Sequence, residues 1–258
     1  MRLMKRILSA AAVLALSASL LVGCSSGTAS SVPVSASSAA ESTVSSVEET
    51  ASSAVDENEA AAAQLLNDLT GSYQELWPVI LADEYQQTWL DDCTALVGEE
   101  NAEAAFEKLS SMVTGDVYGE DAVEAYANGG GAYFCGFTNS LAILTFDGET
   151  STISGTDKDG NVLFSHTYHY IGMEPVHGLY EFESDDADSG EFTYFFLAPD
   201  TSAETYHIEF RYGSDAEALS QYDAGEYAYW VASGISTDCD QTMIDNCIEL
   251  FCTENLAG

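Results

Sequence analysis

The sequence predicts a mainly β chain with helices at its N- and C-terminal ends, its strands joined as an antiparallel meander that closes into a barrel or curls into a sandwich. Three observations predict this. From Tyr133 the apolar period shortens toward two. Turn signals at Asp147-Gly148 and Asp157-Lys158-Asp159-Gly160 separate the short runs. Helix-forming stretches flank this region on both sides.

The helical flank begins with the apolar face of Leu65, Leu66 and Leu69, followed by that of Leu76, Val79 and Ile80, where Pro78 starts or kinks a helix. Residues 101–112 are rich in helix formers behind Asn101, a capping residue type. A further helix over 119–127 ends at Asn128 and the glycines 129–131. Strands are expected at 141–146, 150–153, 164–171, 178–183, 191–197 and 205–211. Ser214 with Glu217 three residues on reads as a helix start, and 242–251 as the C-terminal helix.

The first residues set the location. Arg2, Lys5 and Arg6 precede a short apolar run, Ile7 to Val22, too short to span a bilayer stably. It ends in Leu21-Val22-Gly23-Cys24, which looks like the lipobox of bacterial lipoproteins. Residues 1–23 are therefore expected to be a lipoprotein signal peptide, with Cys24 as the lipid anchor. Each buried methylene of an acyl chain contributes roughly 0.8 kcal/mol, so two or three chains hold a domain firmly. Residues 24–60, rich in Ser, Ala and Glu and free of aromatics, read as a disordered linker. The folded domain is expected over 64–258, on the extracytoplasmic face of the cell membrane, at a Gram-positive cell surface.

Charge excludes one class of partner. The chain carries −37 formally, and without its leader it keeps only Lys108, Lys158 and Arg211 as permanent cations. Nucleic-acid binding runs on Lys and Arg that neutralise phosphates, so no nucleic acid is expected. Such a field concentrates cations instead. Beyond Cys24 there are five cysteines, at 93, 135, 239, 247 and 252, an odd number for an oxidising compartment. Two disulfides and one free thiol would fit, and the connectivity stays open. Cys247 and Cys252 are poorly spaced to bond each other on a helix, so each is expected to face a different neighbour. No C-x-x-C pair is present.

Several segments, taken in order, resemble the ZinT/YodA family of lipocalin-like zinc-recruitment proteins. They are Leu69 to Leu81, Leu144-Thr145-Phe146-Asp147-Gly148, Tyr168 to Gly172, Gly178 to Asp186, Thr205-Tyr206-His207-Ile208 and Ser214 to Leu219. The resemblance covers about residues 69–235. It implies a lipocalin/calycin-like antiparallel β-barrel and a divalent metal, zinc, taken up or buffered together with metal-uptake transporter components. The family's three histidine ligands are only partly present. Its His-Phe-His strand is Thr205, Tyr206 and His207 here, and its Ser-Asp-His segment is lost. A tight zinc site takes at least three protein ligands, so one imidazole is insufficient alone.

Strand alternation puts Thr205, His207 and Glu209 on one face. In a barrel like the family's, that face would point into the ligand cavity, making His207 and Glu209 the candidate metal ligands. Candidate further donors are His166, His169, His177 and the acids Asp83 and Glu84. His166 and His169 are three apart on a strand, so they face opposite sides. The acidic run Glu183 to Glu191 lacks EF-hand spacing and reads as a solvated hairpin turn. No nucleophile elbow, Walker loop, dinucleotide fingerprint or His-Glu-x-x-His is present, and no catalytic residue is assigned. Two functions remain open: a surface-anchored module that captures a divalent metal, or a metal-independent binding or adhesion module on the same scaffold.

Overall fold

The structure is a computed structural model that describes residues 57–198 and 207–257. Eight antiparallel strands form a closed barrel in sequence order. They are β1 (Gly71–Glu75), β2 (Ile143–Asp147), β3 (Thr152–Thr156), β4 (Val162–Met173), β5 (Tyr180–Ser184), β6 (Tyr194–Leu197), β7 (His207–Gly213) and β8 (Ala232–Ser236). This is the barrel architecture that the sequence predicts, with helices before and after it. The sequence reading contains neither β1 nor β8, yet these two close the ring. Tyr73 pairs with Leu144 on one side and Ser236 on the other. Both strands are five residues long, and each follows a stretch without β alternation, so their pairing is a tertiary effect.

The barrel interior is packed solid. Phe146, Ile153, Phe164, Phe182, Phe195, Phe210 and Tyr212 form one buried cluster. Phe195 lies opposite both Phe182 and Tyr212, so these three point the same way. The segment before β2 is tied into this core. The Phe137 N–H donates to Glu75 Oε1 at 2.6 Å, and Trp230 Nε1 donates to the Gly136 carbonyl at 2.9 Å. The Tyr212 hydroxyl donates to the Thr138 carbonyl (2.9 Å) and accepts from its N–H (2.7 Å).

Helices cover one side of the barrel. Residues 57–68 form α1, which starts ahead of residue 64 and buries Ala62, Leu65 and Leu66 in the barrel cluster. It crosses the β2–β3 turn so closely that a Cβ on Gly148 would lie 2.4 Å from the Asn67 Cα, which explains a glycine there. Helices α2 (Leu76–Ile80), α3 (Gln86–Val97), α4 (Ala102–Ser111) and α5 (Glu120–Ala127) precede the meander; α6 (Ala216–Leu219) and α7 (Gln241–Leu256) follow β7 and β8. A second core joins α2, α3, α4 and α7. Phe251 meets Trp77 and Trp89 edge-on at 4.8 and 5.9 Å between ring centres, and Trp89 Nε1 donates to the Ile80 carbonyl at 2.7 Å. No helix among the described residues is long and apolar enough to cross a membrane.

Two capping expectations are corrected. Asn101 does not cap α4; its Nδ2 donates back to the Val97 carbonyl at 3.0 Å, closing the end of α3 instead. Asp215, one residue after Ser214, caps α6 by accepting from the Ala218 N–H at 3.0 Å. Asp240 does the same for α7, accepting from Met243 N–H at 2.9 Å.

If the lumen is load-carrying core, Phe195→Ala should destabilise the chain by about 3–5 kcal/mol in urea unfolding. Thr167→Ala, on the exposed face of β4, should stay within about 0.5 kcal/mol.

Candidate functional site

Strand β7 decides where the expected ligands go. Ile208, Phe210 and Tyr212 belong to the barrel cluster, so they point inward. Alternation then turns His207, Glu209 and Arg211 to the outer wall. This corrects the expectation that His207 and Glu209 point into a ligand cavity inside the barrel. The physical reason is the apolar parity of the strand: three large side chains at even positions fill the lumen. Thr205, expected on the same face as His207, lies outside the described residues.

His207 is nevertheless buried, at 6% exposure. Glu209 lines a cavity of about 30 Å³ between the outer wall and the helical layer, together with Trp77, Tyr133, Cys135, Ser233 and Phe251. Burial pushes the Cys247 thiol up to about 12, with a further push from the Glu209 carboxylate. Among the described residues, no group of three or more His, Cys, Asp and Glu side chains converges to hold a metal ion. The described donors therefore do not fit a closed zinc site.

The same wall carries a buried polar cluster that sequence reading misses. Arg211 is fully buried. Its guanidinium donates to the carbonyls of Leu219, Gln221 and Tyr227, which belong to the segment covering β7. It also lies over the Tyr222 ring, 4.2 Å from the centre. His177 packs on the other ring contact of Tyr222, 3.8 Å between centres. Glu174, also fully buried, accepts from the N–H groups of Val176 (2.8 Å) and His177 (2.6 Å). Burial pushes the Glu174 carboxyl up, but the His177 side chain and these two N–H groups outweigh it and hold it below the usual range. The signal available in the sequence was Arg211 itself, a lone cation flanked by the aromatic residues Phe210 and Tyr212.

The remaining candidates separate. His166 stands on the inward face with its ring stacked on Phe164, while His169 faces out, so the two diverge as strand spacing requires. Each is held by one of two neighbouring acids. His166 Nδ1 lies 2.7 Å from Asp186 Oδ2, and His169 Nδ1 lies 2.7 Å from Asp185 Oδ1. The acidic run 183–191 is a turn closed by Ser189 and Ser184 hydroxyls 2.8 Å apart. His177 sits in the β4–β5 turn beside Glu174. Asp83 and Glu84 are exposed on a single 3-10 turn before α3.

No family model matches the chain, and no curated protein matches it. Among solved structures, it is similar to the Zn(II)-bound ZinT-like domain of Streptococcus pneumoniae AdcA, with 17% identity and a TM-score of 0.45 over 71% of this chain and 89% of that one. It is also similar to Zn(II)-bound AdcA from Streptococcus pneumoniae, with 15% identity and a TM-score of 0.42 over 72% of this chain. It spans 35% of that longer chain.

Two outcomes follow from the Arg211 cluster. Arg211→Met should cost roughly 3 kcal/mol or more in urea unfolding, because the carbonyls it satisfies stay buried without a donor. Glu174 has a folded-state pKa below its unfolded value, so its contribution is complete above the unfolded value and is lost as pH falls through the folded one. Glu174→Gln should therefore be less stable than the parent at pH 7, and the gap should close as pH drops below about 4.

Proposed function

We propose that the chain is a lipid-anchored surface module that gathers divalent cations, zinc among them, loosely on an acidic exterior, for recruitment or buffering. Lipid on Cys24 would anchor it on the extracytoplasmic face of the membrane, and the residues between Cys24 and α1 would space the folded domain away from it. The observation that carries this reading is the fate of the cations. Of the three outside the leader, Arg211 is buried, so Lys108 and Lys158 alone face a surface dominated by carboxylates. A field of that sign raises the local concentration of divalent ions without any closed coordination sphere. The two Asp-held imidazoles add nitrogen donors, because a carboxylate on Nδ1 fixes the ring and leaves Nε2 to a metal. Metal-uptake transporter components are the partners that such a module would serve.

A second reading keeps a fixed metal at His207 with Glu209. It is supported by the burial of His207 and by the two side chains sharing one wall of β7. Zinc titration of the purified chain by calorimetry separates the two. Diffuse gathering predicts millimolar affinity that His207→Ala leaves unchanged and that weakens more than about tenfold between 0.05 and 0.5 M salt, as screening shortens the field. Submicromolar binding that His207→Ala or Glu209→Ala abolishes would replace it with the fixed site. No zinc binding at low salt would remove both.

A further inference from the structure

Cys93 on α3 and Cys252 on α7 face each other inside the helical core. Their sulfur atoms are 3.9 Å apart, and both residues are fully buried. Both belong to the helical core with Trp89, Ile248 and Phe251, and the Asp92 carboxylate is the acid that acts on the pair. The other cysteines are differently engaged. The Cys135 thiol points at the Tyr133 carbonyl, 3.8 Å away, Cys247 lies toward Glu209, and Cys239 is half-buried before α7. In the structure all five are thiols.

We propose that Cys93 and Cys252 are a disulfide site, joined in the mature protein so that α3 and α7 are tied covalently. A disulfide needs the two sulfurs about 2 Å closer than they stand, a closure that rotation of two facing cysteine side chains can supply. The bond forms by exchange with a disulfide oxidant. One cysteine thiolate attacks the oxidant's S–S bond and expels a thiolate, giving a mixed disulfide; the second cysteine thiolate attacks that and expels the other. The two cysteines lose two protons and two electrons, and the oxidant's S–S bond is reduced to two thiols. Burial raises both thiols above their ordinary range; contact with Cys252 partly offsets this for Cys93, whereas Cys93 pushes Cys252 up further. The link closes a long loop, between residues 93 and 252, so it constrains the unfolded chain strongly.

The test uses the full chain, refolded in a mixture of oxidised and reduced glutathione, then alkylated in denaturant without reductant and mapped by mass spectrometry. The expected result is a peptide containing Cys93 bonded to one containing Cys252. Alkylation of both residues, or a bond from either to a different cysteine, overturns the proposal. As a second reading, reductant should lower the Tm of the oxidised chain by roughly 5–15 °C and leave that of Cys93→Ala unchanged. A reductant-insensitive parent chain overturns it as well. Neither readout involves metal, so this site and the cation reading fail separately.

Discussion

Closure of the eight strands around an aromatic lumen is the constraint on which everything else depends. Once Tyr73 bridges Leu144 and Ser236, every strand has a fixed inner and outer face. The large residues take the inner one, and Phe195 between Phe182 and Tyr212 shows how completely. A small barrel filled this way is a core rather than a pocket. Its chemistry must therefore lie on the outer wall or in the turns.

The outer wall of β7 shows what this does to polar residues. Arg211 cannot enter the lumen, so it is buried from outside by the segment 219–227, whose carbonyls it organises. Tyr222 connects this cation to His177 and through it to Glu174, so the β4–β5 turn and the covering segment share one polar cluster. Such a network is costly to break and adds order to a stretch with little regular secondary structure. Its effect on function is indirect: it removes Arg211 from the surface and leaves the exterior almost without positive charge.

Much of this was legible in the sequence. The β2 to β7 meander follows from alternation and from Asp-Gly turns, because those signals are local. The closing strands were hidden. Gly71-Ser72-Tyr73-Gln74-Glu75 and Ala232-Ser233-Gly234-Ile235-Ser236 carry small or polar residues, and only their partners make them strands. The divergence of His166 and His169 was readable from their spacing, whereas their capture by Asp186 and Asp185 was not, since it depends on how the 185–193 turn folds back. The face of β7 was misread for a specific reason. A histidine and a glutamate at alternate positions suggest a site, but Ile208, Phe210 and Tyr212 at the other positions are a stronger demand for the interior. The facing of Cys93 and Cys252, far apart in the chain, needed the packing of α3 on α7.

Anomalous diffraction at the zinc edge, from crystals of the folded chain equilibrated with zinc, tests the central claim most directly. A solid lumen and an outward His207 predict partial-occupancy anomalous density spread over surface carboxylates and the Asp-held imidazoles of His166 and His169, with none at His207. One fully occupied ion inside the barrel, coordinated by His207 and Glu209, would contradict the parity of β7 and the account built on it.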